Sequence, residues 1–339
     1  MSLPLVSIVI PCRNERAYII NCIQSVLQND YPSELIEVFV CDGMSDDGTL
    51  ELLTEAAKKF PQLKILRNEQ RTTPYALNLG IKKSKGEVVI ILGAHAEMQS
   101  NYINTCVSVL QKNPEVWCSG GVLKNEAQDY VSGIVSLAMT SPFGVGSAHF
   151  RTGMKDGEVD TVAFGAYRKE VFQLIGYFDE ALTRNQDDEF NYRLTKAGKK
   201  IWLTTSTSIK YFVRGSWNKL WRQYFQYGYW KVFVNRKHKV VTTLRQLIPF
   251  LFVVSLIAGF ILSFISNYFF WLYIIFIWLY LMCAMLATAM LSGSKKNILQ
   301  IVFAFMLLHL SYGFGYLKGV IDFLLLRKKS ASAHETVSR

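Results

Sequence analysis

The sequence predicts an α/β domain on a mainly parallel sheet, followed by an interfacial amphipathic stretch and an α-helical membrane region. Three observations carry this. Residues 1–120 alternate short apolar runs with amphipathic stretches, residues 216–234 crowd aromatic side chains among basic ones, and residues 247–326 carry charge only at Lys295, Lys296, Lys318 and Asp322. Strands that alternate with helices imply a parallel sheet covered on both faces. The expected divisions are residues 1–213, 214–246 and 247–329.

The elements follow in order. Val6 to Ile10 reads as a buried strand, and Tyr18 to Leu27 has helical periodicity. Glu37 to Val40 is a second strand, Thr49 to Phe60 a helix, and Leu63 to Leu66 a third strand. Thr73-Pro74 opens a helix to Lys83, with Thr as cap and Pro at the first helical position. Glu87 to Leu92 is a fourth strand, Asn101 to Gln111 a helix, and Val116 to Ser119 a fifth strand. Residues 122–186 are irregular, and Asp187 to Ala197 is a helix stopped by Gly198. In sheets of this kind ligands bind beyond the carboxyl ends of the strands. The residues after Ile10, Val40 and Leu92 are therefore the first candidates for a site.

Residues 216–234 suit a helix in the membrane interface, aromatic side inward and basic side toward headgroups. A soluble aromatic core helix is the competing reading. The segments 247–265 and 268–290 are each long enough to span a bilayer, and Ser266-Asn267 between them predicts a tight hairpin. A third apolar stretch, 298–326, is interrupted by Gly313, Gly315, Lys318 and Gly319, and leaves a span or a kinked segment open.

The net charge is +11, and its basic residues gather beside the apolar segments: Arg214, Lys219, Arg222, Lys231, Arg236, Lys237, Lys239 and Arg245. That placement matches the cytoplasmic side of a membrane. No nucleic-acid recognition motif accompanies the charge, so nucleic acid is not an expected partner. The six cysteines form no CxxC pair, which argues against a zinc site or a disulfide framework. Met-Ser-Leu-Pro opens the chain without the basic-then-apolar pattern of a signal peptide, so the first domain is expected to stay in the cytoplasm.

Chemistry-bearing residues stand where the strands end. Pro11-Cys12-Arg13-Asn14-Glu15 follows the first strand and Asp42-Gly43-Met44-Ser45-Asp46-Asp47-Gly48-Thr49 the second. Short carboxylates in a glycine-bearing loop can accept hydrogen bonds from a base and a ribose, or simply turn the chain and cap the next helix. Ala76, Asn78 and Gly80 follow on the third helix, and Gly93-Ala94-His95 after the fourth strand. Farther on stand Gly165 to Phe172 and then Arg184-Asn185-Gln186-Asp187-Asp188-Glu189 with Arg193.

In this order and spacing, these pieces resemble the inverting family 2 glycosyltransferases of the GT-A fold, over about residues 5–235. The resemblance implies a nucleoside diphosphate sugar, a UDP-sugar first among them, held by Pro11, Asn14, Glu15, Asp42, Asn78, Gly93 and His95. Asp42 would meet the nucleobase and Glu15 the nucleoside. The family's Asp-x-Asp, which binds a divalent cation, falls on Gly93 and His95. A relative set similar to succinoglycan-type exopolysaccharide glucosyltransferases carries Asp-Ala-His there. His95 is thus the expected ligand of Mn²⁺ or Mg²⁺, and loss of the carboxylate should weaken hard Mg²⁺ most.

The same resemblance places the catalytic base at Asp187, with Gly165, Asp188, Glu189 and Arg193 on the acceptor side. Inverting transfer needs the acceptor hydroxyl to lose its proton as it attacks, which a positioned Asp can accept. At a helix start Asp187 should stay ionised, as a ready but weak base. Gln226 and Trp230 stand where related membrane enzymes carry a gating motif. The expected acceptor is a polyprenyl-linked lipid at the cytoplasmic face of the cell membrane, in exopolysaccharide or other cell-surface glycan assembly. A polyprenyl-phosphate sugar synthase and a non-catalytic assembly subunit are the alternatives.

Overall fold

The structure is a computed structural model and describes residues 2–153, 155–213, 215–242, 244–291 and 297–328. Arg214, Lys295 and Lys296, part of the charge pattern above, lie outside the described residues. The chain divides into two compact units, 1–124 with 149–212, and 125–148 with 213–339.

The first unit is built on strands β1 (Val6–Cys12), β2 (Ile36–Asp42), β3 (Leu63–Arg67) and β4 (Val88–Ile91), all parallel. Each begins and ends within two residues of its expected place. Beyond β4 the sheet changes character. It continues through β5 (Ala96–Met98), β6 (Val116–Glu126), β7 (Gly157–Val159), β8 (Ala166–Arg168) and β9 (Lys200–Phe212) in the order β3-β2-β1-β4-β8-β6-β9-β5, with β7 also on β9. The β4–β8, β6–β8, β5–β9 and β7–β9 pairs are antiparallel. The parallel half is as expected; the antiparallel half makes the sheet mixed.

Alternation along the strands feeds two cores. Val6, Ile8, Ile10, Val38, Val40 and Ile90 pack on one face against α1 (Ile19–Leu27), α2 (Thr49–Lys59) and α4 (Tyr102–Lys112). In α1 the buried residues are Ile19, Cys22, Ile23 and Val26, a single helical stripe. Val9, Cys41 and Val89 point the other way, toward α3 (Thr73–Lys83), α8 (Val171–Leu174) and α9 (Gln186–Lys196). Full burial of each such Ile or Val stabilises by roughly 1.5–3 kcal/mol before the chain's entropy loss is counted. Gly80 lets α3 approach the sheet, because a Cβ there would stand 2.5 Å from Val9 Cγ1. Cys12, Cys22, Cys41, Cys106 and Cys118 are buried free thiols and Cys283 is exposed. Burial pushes the thiols of Cys41 and Cys106 up to about 12.

The second unit is helical. It contains α5 (Tyr130–Thr140) and the one-turn α6 (Pro142–Val145); α7 (His149–Thr152) opens the chain's return to the first unit. Then come α10 (Trp217–His238), α11 (Ile248–Leu262), α12 (Asn267–Ala289) and α13 (Ile298–Gly319), extended by a π-helical segment Val320–Leu325. Segments Leu244–Leu262, Asn267–Ala289 and Ile298–Leu325 are long and apolar enough to cross a membrane. Their apolar windows are 6%, 6% and 44% buried, so α13 is the element the others pack around. The expected hairpin is present, with Ser266 Oγ accepting from Phe269 N–H at 3.4 Å to start α12. Phe252 stacks on Tyr280 with centroids 4.5 Å apart.

The glycines of the third segment do not break it. Gly313 lies against the Pro249 backbone of α11, while Gly315 and Gly319 lie against the Phe225 and Tyr229 carbonyls of α10. Gly228 of α10 returns the contact to Tyr312. Small residues at a helix interface let backbones approach, and here they seat α13 between two neighbours. His309 of α13 is held on both ring nitrogens: Tyr280 Oη lies 2.8 Å from its Nδ1, and the Phe143 carbonyl accepts at 2.9 Å from Nε2.

Candidate active site

β1 and β2 run in register to Cys12↔Asp42, so their loops leave the sheet side by side. Asn14, in the left-handed region at φ 56°, ties the loops together. Its backbone N–H donates to Ser45 Oγ at 2.9 Å, its Nδ2 to Asp46 Oδ1 at 2.8 Å, and its Oδ1 accepts from Asp46 N–H at 3.0 Å. Asp42 is buried, and its carboxylate accepts from the Ser45 hydroxyl at 2.6 Å and the Ser45 N–H at 3.1 Å. Glu15 N–H donates to Thr49 Oγ1 at 3.0 Å, and Thr49 donates through N–H and hydroxyl to Asp47 Oδ1. Partial burial works against ionisation of Asp47, but these bonds and the Arg16 N–H outweigh it and lower its pKa. Gly48, at φ 91°, makes the turn into α2 in a conformation that disfavours any side chain.

After β4 the chain presents Gly93, Ala94 and His95. His95 Nδ1 lies 3.0 Å from Glu15 Oε1, with the two side chains 20% and 16% exposed. The imidazole leans on Tyr211, centroids 5.0 Å apart, and on Tyr18 at 6.4 Å; Tyr18 in turn stacks on Phe212. A Cβ at Gly93 would stand 2.8 Å from Phe164 Cε1. Phe164 holds φ 53°, a costly conformation for an aromatic residue, and its carbonyl accepts from Tyr102 Oη at 2.9 Å.

The residues therefore fit a divalent cation in one way only. Among the described residues no three His, Cys, Asp or Glu stand together as a metal cage. The place of a first carboxylate is filled by the Phe164 ring. His95, with Nδ1 engaged, offers Nε2 as a single soft ligand. The set suits an ion carried mainly by a diphosphate, and suits Mn²⁺ better than Mg²⁺.

Asn185, at φ 61°, starts α9. Asp187 stands in its first turn, open to solvent, and accepts from Asp188 N–H at 2.9 Å. Protein around it removes enough water to raise its pKa, and the Asp188 charge adds to this; the Asp188 N–H and the charge of Arg151 act the other way. Asp187 is thus a stronger base than the helix position alone predicts, because desolvation and Asp188 outweigh the helix dipole. Glu189 is fully buried and held by Arg193 at 3.0 Å, and Arg193 also donates to the carbonyls of Ile175 and Tyr177. This pair fastens the loop before α9.

Other expected residues face elsewhere. Asn78 is buried, donating to the Phe178 carbonyl and Glu180 Oε1, both at 2.9 Å, and accepting from Phe178 N–H at 3.0 Å. It joins α3 to the 178–180 segment instead of pointing into the strand-end loops. Gly165 admits Cys118 Sγ and the Tyr167 ring to the centre of the sheet. Pro11 is a β1 residue paired with Cys41. Gln226 and Trp230 belong to the second unit; Trp230 is fully buried, with Phe233 and Phe323 rings at 5.8 Å.

Sequence reasoning missed Phe164, Arg151 and the rings around His95. His149 Nδ1, Arg151 Nη1, Thr152 Oγ1 and Gln186 Oε1 are buried without a hydrogen-bond partner. They lie in or beside the irregular segment 122–186, where no periodicity flags them.

Residues 7–176 match Glycosyl transferase family 2. The chain is 30% identical over 326 residues to a Methanococcus voltae protein, covering 93% of this chain and 97% of that one. That relative is named dolichyl N-acetyl-alpha-D-glucosaminyl phosphate 3-beta-D-2,3-diacetamido-2,3-dideoxy-beta-D-glucuronosyltransferase. The present chain is also 27% identical over 322 residues to the succinoglycan biosynthesis protein ExoA of Rhizobium meliloti (strain 1021), covering 93% and 95% of the two chains. The solved mannosyltransferase PcManGT of Pyrobaculum calidifontis, in complex with GDP-Man and Mn²⁺, matches with a TM-score of 0.64 at 18% identity. That match covers 94% of this chain and 88% of the other, and speaks for the fold.

Proposed function

Because the chain belongs to glycosyl transferase family 2 and is a glycosyltransferase of GT-A type, we propose that it moves a sugar, with inversion, from a nucleoside diphosphate sugar to a lipid-linked acceptor. The observation that carries this reading is Asp187, a solvent-open carboxylate with a raised pKa at the start of α9. The Methanococcus relative's name specifies a dolichyl-phosphate-linked sugar as acceptor, which favours an isoprenoid-linked sugar over a bare lipid phosphate here. The ExoA relative supports a place in polysaccharide assembly. UDP is the first nucleotide to test.

In this reading residues 1–213 are the catalytic domain at the cytoplasmic face of the cell membrane, 214–246 its membrane-facing stretch and 247–329 its multi-pass anchor. Asp42 receives the base, and the Pro11–Glu15 loop shapes that side. Asp187 accepts the proton of the attacking hydroxyl; Gly165, Asp188, Glu189 and Arg193 shape and hold its surroundings. Gln226 and Trp230 would act only after leaving their packed positions. His95 would hold a divalent cation through Nε2. When bound, that ion would neutralise charge on the leaving diphosphate.

The test uses the full chain in detergent, UDP-sugars and an isoprenoid-linked sugar acceptor. Asp187→Asn should lower turnover about 10²–10⁴-fold, the usual worth of general-base catalysis, with nucleotide affinity kept. Near-normal turnover in that variant would remove Asp187 from the role.

A further inference from the structure

We propose that Glu15 is the positioning residue of His95: it holds the imidazole by Nδ1 so that Nε2 is presented to a divalent cation. The proposal rests on the cation reading above and deepens it.

The geometry runs through four side chains. Asp47 accepts both bonds of Thr49, Thr49 accepts from the Glu15 backbone, and the Glu15 carboxylate meets His95 Nδ1 at 3.0 Å. Thr49 is fully buried, so the link is fixed to the start of α2 and does not swing on the surface. A carboxylate can only accept, so Nδ1 carries the proton, and in this tautomer the lone pair falls on Nε2. The Tyr211 and Tyr18 rings hold the imidazole from the sides. Metal-binding histidines commonly donate their second nitrogen to a carboxylate in this manner, which fixes the tautomer and raises ligand basicity.

The need for such support follows from Gly93. Phe164 fills the space a side chain would need there, so position 93 offers no carboxylate to share the ion. A lone imidazole ligand then depends on its orientation more than one within a cage does. Glu15 accordingly acts on the cation site, at one remove, and not on the nucleoside.

The experiment measures Mn²⁺ binding by the electron paramagnetic resonance of free Mn²⁺, with UDP present, on the full chain in detergent. UDP affinity is measured separately in EDTA. Glu15→Ala should weaken Mn²⁺ binding about 10–100-fold, the usual cost of removing such a partner. Its UDP affinity in EDTA should match the parent. Glu15→Gln, whose amide oxygen still accepts from Nδ1–H, should recover part of the loss. His95→Ala should abolish the His95-dependent binding. If Glu15→Ala binds Mn²⁺ like the parent while His95→Ala does not, the Glu15 proposal is wrong and the cation reading survives. If His95→Ala binds Mn²⁺ like the parent, both fall. Equal loss of UDP affinity in EDTA for Glu15→Ala would return Glu15 to the nucleoside and overturn the proposal. Unfolding midpoints of all variants separate these outcomes from misfolding.

Discussion

Asp187 has two charged neighbours that act on it in opposite directions. Asp188 raises its pKa after desolvation, and Arg151 lowers it. A base works when deprotonated, so turnover should fall as pH drops through the raised pKa. Asp188→Asn removes a raising charge and should move that acid limb to lower pH. Arg151→Gln removes a lowering charge and should move it to higher pH. A pH–rate profile of the parent and both variants checks this, and shifts of the same sign would remove Asp187 as the titrating group. At this scale the sequence showed where its motif residues stand: Asp42 ends β2, Glu15 lies in the loop after β1 and Asp187 is in the first turn of α9. It was silent on Phe164, whose backbone is left-handed and whose carbonyl accepts from Tyr102 Oη far away in the sequence. The motif position of Asn78 gives no sign that its amide is engaged by Phe178 and Glu180.

Among elements, β1 to β4 and α1 to α4 could be read because each buries a face in a local, periodic pattern. Of the antiparallel half only the start of β6 could, at Val116 to Ser119. β8 is three residues long and pairs with β4 from far along the chain, and β5 finds Tyr211 of β9 in the same way. Such pairings leave no short-range trace. The third apolar segment was ambiguous because glycine reads both as a breaker and as a contact surface. In the structure Gly315 is a contact surface against the Phe225 backbone. Gly315→Val should therefore wedge α10 from α13 and destabilise by about 1–3 kcal/mol, the usual range for overpacking. Thermal unfolding of the full chain in detergent measures it; an unchanged midpoint would mean that the two helices do not meet closely at Gly315.

For the whole molecule, the division into two units does not follow the linear order of the chain. Residues 125–148 leave the sheet unit to join the helical one, and α5 is the apolar helix they bring. The sequence showed these residues only as irregular, because α5 is too short to announce a span. The proposed topology places both ends of the α11–α12 hairpin in the cytoplasm, with Ser266-Asn267 on the far side. In intact cells an impermeant maleimide should then label Asn267→Cys without lysis. Labelling only after the cells are opened would reverse the hairpin.

The thiols make that measurement unusually clean. Five of the six cysteines are buried in the sheet unit, and the sixth, Cys283, lies within α12, one of the apolar segments. Burial also keeps the sheet thiols protonated, which slows their attack on an alkylating reagent. The native chain therefore needs no cysteine stripped out before a probe is introduced. Its five buried thiols act as a built-in gauge of folding, silent while the sheet unit is intact and counted when it opens.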